Sequence, residues 1–91
     1  MSKPFVLIER WAVVENVSSQ SFEQLQPGNR LVGYVTGHER LTNAKLVYTS
    51  PIVSVDRTLG TVETRNTMYQ LGEPNIDYKS WEQRQRNSAA A

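Results

Sequence analysis

Residues 28–72 read GNRLVGYVTGHERLTNAKLVYTSPIVSVDRTLGTVETRNTMYQLG, and turn chemistry cuts this stretch into short runs. Leu31, Gly33 and Val35 alternate with Val32, Tyr34 and Thr36, the period of a strand. Gly33 inside that run marks a bulge, a sharp coil of the strand, or close approach by another group. Gly37 ends the strand, and His38 to Ala44 is a polar loop with a hairpin-like tip at Thr42-Asn43-Ala44. Lys45 to Thr49 is the return strand, with Leu46 and Tyr48 on one face and Val47 on the other. Ser50-Pro51 breaks or bends the ladder, because proline has no N–H to donate. Ile52–Val55 then leads into the glycine-containing hairpin loop Asp56-Arg57-Thr58-Leu59-Gly60. Thr61 to Arg65 is a further strand, Asn66-Thr67 a kink, and Met68–Leu71 a short last segment stopped by Gly72-Glu73-Pro74.

Outward from this stretch, Phe5–Ile8 and Trp11–Val14 are β-rich runs joined by Glu9-Arg10. As one strand they are apolar on both faces, Phe5, Leu7, Trp11 and Val13 opposing Val6, Ile8, Ala12 and Val14. The other reading is two strands, with a bend at Glu9-Arg10 and the second running to Val17. Ser21 followed by Gln24 fits a capping box, so a short helix closed by Pro27-Gly28 is predicted. Beyond Pro74, Asn75 is a fair N-cap and Asp77 suits the first turn. Tyr78, Trp81 and Gln85 share one helical face, and Glu82 and Arg86 form an i,i+4 pair. A helix over 77–86 is therefore predicted, with residues 87–91 a disordered tail.

Strands spaced eight to twelve residues apart with Gly, Pro and Asn punctuation indicate a mainly β fold. A small five- to six-stranded coiled sheet or barrel of the SH3-like or OB-like type, with a short C-terminal helix, suits a single domain over residues 1–86. A two-layer sheet with the helix packed on one face is the alternative.

The chain has 91 residues, no cysteine and a formal net charge of +1. Disulfides and thiolate metal sites are excluded, and a cytoplasmic setting is the default. No apolar run approaches the ~18 residues of a membrane span, so the chain is read as soluble. Residues 28–72 carry Arg30, Arg40, Lys45, Arg57 and Arg65 against Glu39, Asp56 and Glu63, a surplus of +2. That is far below the basic patch of a nucleic-acid reader.

Three polar interruptions are candidate ligand-binding segments: Gly37–Arg40, Thr49–Pro51 and Thr64–Thr67, with His38, Arg40, Thr49, Ser50, Arg65 and Asn66 as their chemistry-bearing residues. His38 is the single histidine. Beside Glu39 it could serve as a base, but that role needs an orienting group and a placed substrate. Next to a glycine at a strand end, a structural or exposed histidine is the more natural reading. A hydrolase pairing His38 with Ser50 requires those side chains within hydrogen-bond reach. No metal-ligand spacing is visible, and no cofactor or metal is expected. Tyr34, Tyr48 and Tyr69 with Arg40, Arg57 and Arg65 have the ingredients for base stacking and phosphate contact. Tyr78 and Trp81 either dock the terminal helix on the sheet or anchor a protein partner.

Gly33-Tyr34-Val35-Thr36-Gly37-His38-Glu39-Arg40, Tyr48-Thr49-Ser50-Pro51-Ile52-Val53 and the run from Val62 to Gly72 resemble short uncharacterised β-rich proteins of proteobacterial genomes and prophages. The resemblance covers residues 30–72, about half the chain. It implies a small intracellular accessory protein of phage or mobile-element origin, and it carries over no reaction and no residue role.

Two functional readings stay open. The first is a small non-enzymatic binding module acting on a host protein, a homodimer among its forms, through a sheet edge or the Tyr78/Trp81 helix. The alternative is a module for a nucleotide or a short single-stranded nucleic acid, using the three polar segments.

Overall fold

The computed structural model describes residues 3–19, 21–36 and 45–90. Among these residues five strands follow one another, β1 (Phe5–Val14), β2 (Arg30–Thr36), β3 (Lys45–Asp56), β4 (Thr61–Thr64) and β5 (Met68–Leu71), and one helix, α1 (Ile76–Ala90), ends the order. Each strand pairs antiparallel with the next. With an odd number of alternating strands, the first and last run the same way, so closure requires a parallel pair. β1 and β5 supply it, Phe5–Ile8 lying beside Met68–Leu71. The result is a closed barrel in the order β1-β2-β3-β4-β5, the small mainly β architecture the punctuation predicts.

β1 combines the two readings of its sequence. It is one strand, but its register against β2 slips between Glu9, opposite Tyr34, and Ala12, opposite Val32. Arg10 sits there with φ +51°, in the left-handed region uncommon for a side-chain-bearing residue. The extra residue flips the alternation. Ile8 points inward before the bulge and Val13 after it, and both are fully buried. A strand apolar on both faces is thus a strand whose inward face changes parity. Gly33 lies opposite the bulge, and a Cβ there would stand 2.8 Å from Ile8 Cγ1 and 3.0 Å from both Glu9 O and Trp11 Cα.

β3 runs unbroken through Pro51, so the two strands expected on either side of that proline are one and the barrel has five strands. The bend is real. Lys45 to Pro51 pair with β2, whereas Ile52 to Asp56 pair with β4. Pro51 is exposed at the turning point, and Ile52 N–H donates to Asn29 O at 2.7 Å. At the far end Gly60, with φ +67°, closes the hairpin, and Leu59 N–H donates to Asp56 Oδ1 at 3.0 Å.

The helix expected after Ser21 is absent. Ser21 N–H instead donates to Ser19 Oγ (3.3 Å), Phe22 bridges Val14, and Glu23 N–H donates to Val13 O at 2.8 Å. The last two contacts serve the stretch of β1 beyond the reach of β5. They also turn Phe22 onto the terminal helix, a tertiary gain that overrides a weak capping signal.

α1 begins where the N-cap predicts. Asn75 Oδ1 accepts from Asp77 N–H (2.8 Å) and Tyr78 N–H (3.2 Å). The helix continues past Arg86 to Ala90, where the sequence suggested a frayed tail; Asn87 to Ala90 contain no helix breaker, and alanine is the best helix former. The helix is pinned by aromatics. Tyr78 is fully buried, its ring 5.5 Å from Trp11, 5.3 Å from Phe22 and 5.6 Å from Trp81. Its hydroxyl donates to Glu23 O at 2.8 Å. Trp11 Nε1–H donates to Gly72 O at 2.9 Å, and Asn75 N–H to Trp11 O at 2.8 Å. No described helix is long and apolar enough to cross a membrane.

Candidate functional site

The three polar segments meet different fates. His38 and Arg40, and with them the His38–Ser50 pairing, lie outside the described residues. Thr49 is buried and its hydroxyl is committed, accepting from Leu31 N–H (3.1 Å) and donating to Ser50 O (2.8 Å). Arg30 Nη1 holds the Thr49 carbonyl at 2.9 Å. Thr49 therefore serves the bend of β3, its hydroxyl already partnered on both sides. Ser50 is half-buried beside it. Arg65 and Asn66 are exposed on the β4–β5 turn, which Thr64 N–H and Thr64 Oγ1 close by donating to Thr67 O at 2.9 and 3.1 Å. No hydrogen bond joins the two segments among the described residues. No group of three His, Asp or Glu side chains is placed for a metal among them either.

The aromatic and arginine set divides as well. Tyr34 and Tyr48 point outward, but Tyr69 packs against the core opposite Val62. Arg57 Nη2 is drawn to Leu25 O (3.0 Å), across a polar cleft of about 320 Å³ lined by Gln24, Arg57, Glu82, Gln85 and Arg86. The predicted Glu82–Arg86 pair forms there at 3.0 Å. Tyr78 is wholly inside the fold and so is withdrawn from any partner surface; Trp81 is half-buried, its ring 6.1 Å from Phe22.

At the base of the barrel, Lys3 Nζ donates to the Glu63 carboxylate and to Thr64 O (2.8 Å), and Ser54 Oγ donates to Glu63 Oε1 at 3.2 Å. The Lys3 hydrogen bond, helped by Ser54 and by the ammonium charge, holds the Glu63 carboxyl below its ordinary range. A carboxyl with a lowered folded value contributes stability above the ordinary glutamate pKa and loses it as pH falls through the lowered value. The acid limb of a stability–pH curve should therefore be shallower in Glu63→Gln, with little difference between the proteins below that limb. Urea midpoints measured from neutral pH down into the acid range check this. The pair is open to solvent on one side, about a third of each side chain being exposed, so the difference will be small and will shrink in salt.

What the structure assembles, and the sequence did not single out, is an apolar outer face. Glu9 stands opposite Tyr34, and Tyr34 opposite Leu46. Val32 stands opposite Tyr48, and Phe5 and Leu7 continue the same side of β1. Phe5 is 62% exposed, Leu46 54% and Tyr34 37%; Leu7 and Tyr48 are half-buried, and Val32 packs in part against the core. The Glu9 carboxylate, the charge within this row, turns away to accept from Glu73 N–H at 2.8 Å. Side chains of this kind on the outward face of three neighbouring strands offer a surface for contact with another apolar surface. The alternation in 28–72 did place Leu46 with Tyr48. Adding Phe5 and Leu7 requires the β1 bulge and the β1–β2 register, which span 30 residues of sequence.

A scan against protein-family models, a search of the curated proteins and a search of the solved structures each found no match.

Proposed function

We propose that the chain is a small non-enzymatic protein-binding module whose contact surface is the outer face of β1, β2 and β3. The observation that carries this reading is that Phe5, Leu7, Tyr34, Leu46 and Tyr48 all lie on that outward face, Tyr34 directly opposite Leu46. Aromatic and aliphatic side chains around a desolvated centre are what protein interfaces use as anchors. A net charge of +1 supplies little of the electrostatic attraction on which nucleic-acid binding depends. The reading places the protein in the cytoplasm, and the resemblance over residues 30–72 suggests a phage or mobile-element accessory acting on a host protein.

The test compares the wild-type chain with Phe5→Ser/Tyr34→Ser, two exposed positions whose change should leave the fold intact. Quantitative affinity capture from a bacterial lysate should give a partner that the double variant loses at least ten-fold. An identical captured set from both proteins rejects this face. Nucleotides and short oligonucleotides are screened in parallel by thermal shift, since a ligand that binds the native state must raise its apparent stability. A shift present in wild type and lost in Arg65→Ala/Asn66→Ala would favour the nucleotide reading instead.

A further inference from the structure

We infer that the chain forms a two-fold dimer by joining the open edge of β3 around Val47 to the same edge of a second copy; the inference rests on the protein-binding reading above and names one partner for it. Over its first half β3 has, among the described residues, a neighbouring strand on one side only. β2 runs beside Lys45 to Pro51, and the pairing with β4 begins at Ile52, opposite Thr64. Past Thr64 the chain turns back through the Thr64–Thr67 bond. Among the described residues, no strand or isolated bridge takes the other edge of Leu46–Tyr48. Alternate residues of such an edge aim both main-chain groups at the open side, a template for another strand.

Edges of this kind are normally blunted by charge, proline or a bulge. Leu46-Val47-Tyr48 carries none of these; Lys45 bounds the segment on one side, and the register irregularity at Thr49-Ser50, followed by Pro51, bounds it on the other. The occupant follows from the same residues. Antiparallel pairing about Val47 sets Leu46 of each copy against Tyr48 of the other, an aliphatic–aromatic pair made twice by symmetry. No charged side chain meets its own image. With a net charge of +1, two copies approach with little repulsion. A two-fold axis perpendicular to the sheet keeps both outer faces on the same side, so the dimer also joins the two apolar faces into one wider surface.

Sedimentation velocity from micromolar to millimolar chain tests the inference. Wild type should pass from the 10.4 kDa monomer to twice that mass. Leu46→Glu/Tyr48→Glu and Leu46→Lys/Tyr48→Lys should each associate at least ten-fold more weakly, and an equimolar mixture of the two should restore the dimer. Thermal unfolding confirms that each variant is folded. Should Tyr48 not tolerate a charge, Leu46→Glu and Leu46→Lys, at an exposed position, carry the same comparison. A wild-type chain monomeric at millimolar concentration overturns the inference, as does a dimer indifferent to charges at Leu46. Either failure leaves the protein-binding reading to the Phe5/Tyr34 comparison, whose substitutions lie on other strands.

Discussion

Tyr78→Ala should lower the unfolding free energy by about 3–5 kcal/mol, the range for removing a buried aromatic side chain. A domain of this size has roughly 5–14 kcal/mol in all, so the variant should unfold at a much lower urea midpoint or fail to fold at physiological temperature. Tyr78 is the largest fully buried side chain, and it touches three other aromatics that come from β1, from the segment before β2, and from α1 itself. Removing it loosens the dock of the whole helix. Tyr78→Phe isolates the hydroxyl, whose loss leaves Glu23 O without that donor and should cost about 1–3 kcal/mol. The two variants also separate in their pH dependence. Burial, with the Glu82 charge adding to it, pushes the Tyr78 phenol well above its ordinary range. A raised folded value means stability that is complete below the ordinary tyrosine pKa and declines as pH rises beyond it. Tyr78→Phe should flatten that alkaline decline. A urea midpoint for Tyr78→Ala within measurement error of wild type would show that the helix is not held by this ring.

Gly33→Ala is the second large effect, expected at about 1–3 kcal/mol as an overpacking penalty, with Gly33→Val worse. The reason is steric, not conformational. The added carbon would meet two main-chain atoms of β1, Glu9 O and Trp11 Cα, each at 3.0 Å. Backbone inside a bulge cannot swing aside as a side chain can. Gly72 offers the internal comparison. A Cβ there would collide with the Glu9 carboxylate, the far end of a side chain free to rotate away at the loss of one exposed hydrogen bond to Glu73 N–H. Gly72→Ala should therefore cost less than Gly33→Ala in paired chemical denaturation curves. The reverse order would mean that the bulge yields more readily than its contacts imply.

Features set by near neighbours in sequence are legible from the chain alone. The Asn75 cap, the Glu82–Arg86 pair and the Asp56–Gly60 hairpin depend on residues within five positions of one another, and each forms as the sequence predicts. Gly33 is legible as a place of close approach, because a glycine inside an alternating run gives up side-chain packing and so points to crowding at its position. The parity change in β1 is not, since the bulge at Arg10 is fixed by what lies opposite it on β2. Pro51 misleads by its usual meaning as a breaker. At a bend where β3 exchanges β2 for β4, the missing N–H costs no ladder bond. The capping box at Ser21 misleads because a local signal of about 1 kcal/mol competes with main-chain bonds to β1 and an aromatic contact.

The candidate site is less legible for a related reason. Thr49, Ser50, Arg65 and Asn66 stand out as polar residues at interruptions, yet Thr49 is used up holding the bend of its own strand. Tyr78 stands out as an interface anchor and is one, but for its own helix. The outer face consists of ordinary strand residues. Phe5, Leu7 and Tyr34 become a group only once the inward set has been assigned, and that assignment passes through the bulge.

The parallel seam between β1 and β5 also governs the order in which the protein can be made. Phe5–Ile8 leave the ribosome early, but their partners Met68–Leu71 follow about sixty residues later, a long-range closure that comes late in folding. Until then a nascent chain carries β1 with one edge unpaired, a strongly apolar segment of the kind that chaperones cover and that seeds aggregation. The seam therefore ties the yield of folded protein to how that edge is shielded until β5 arrives, and not to the stability of the finished barrel alone.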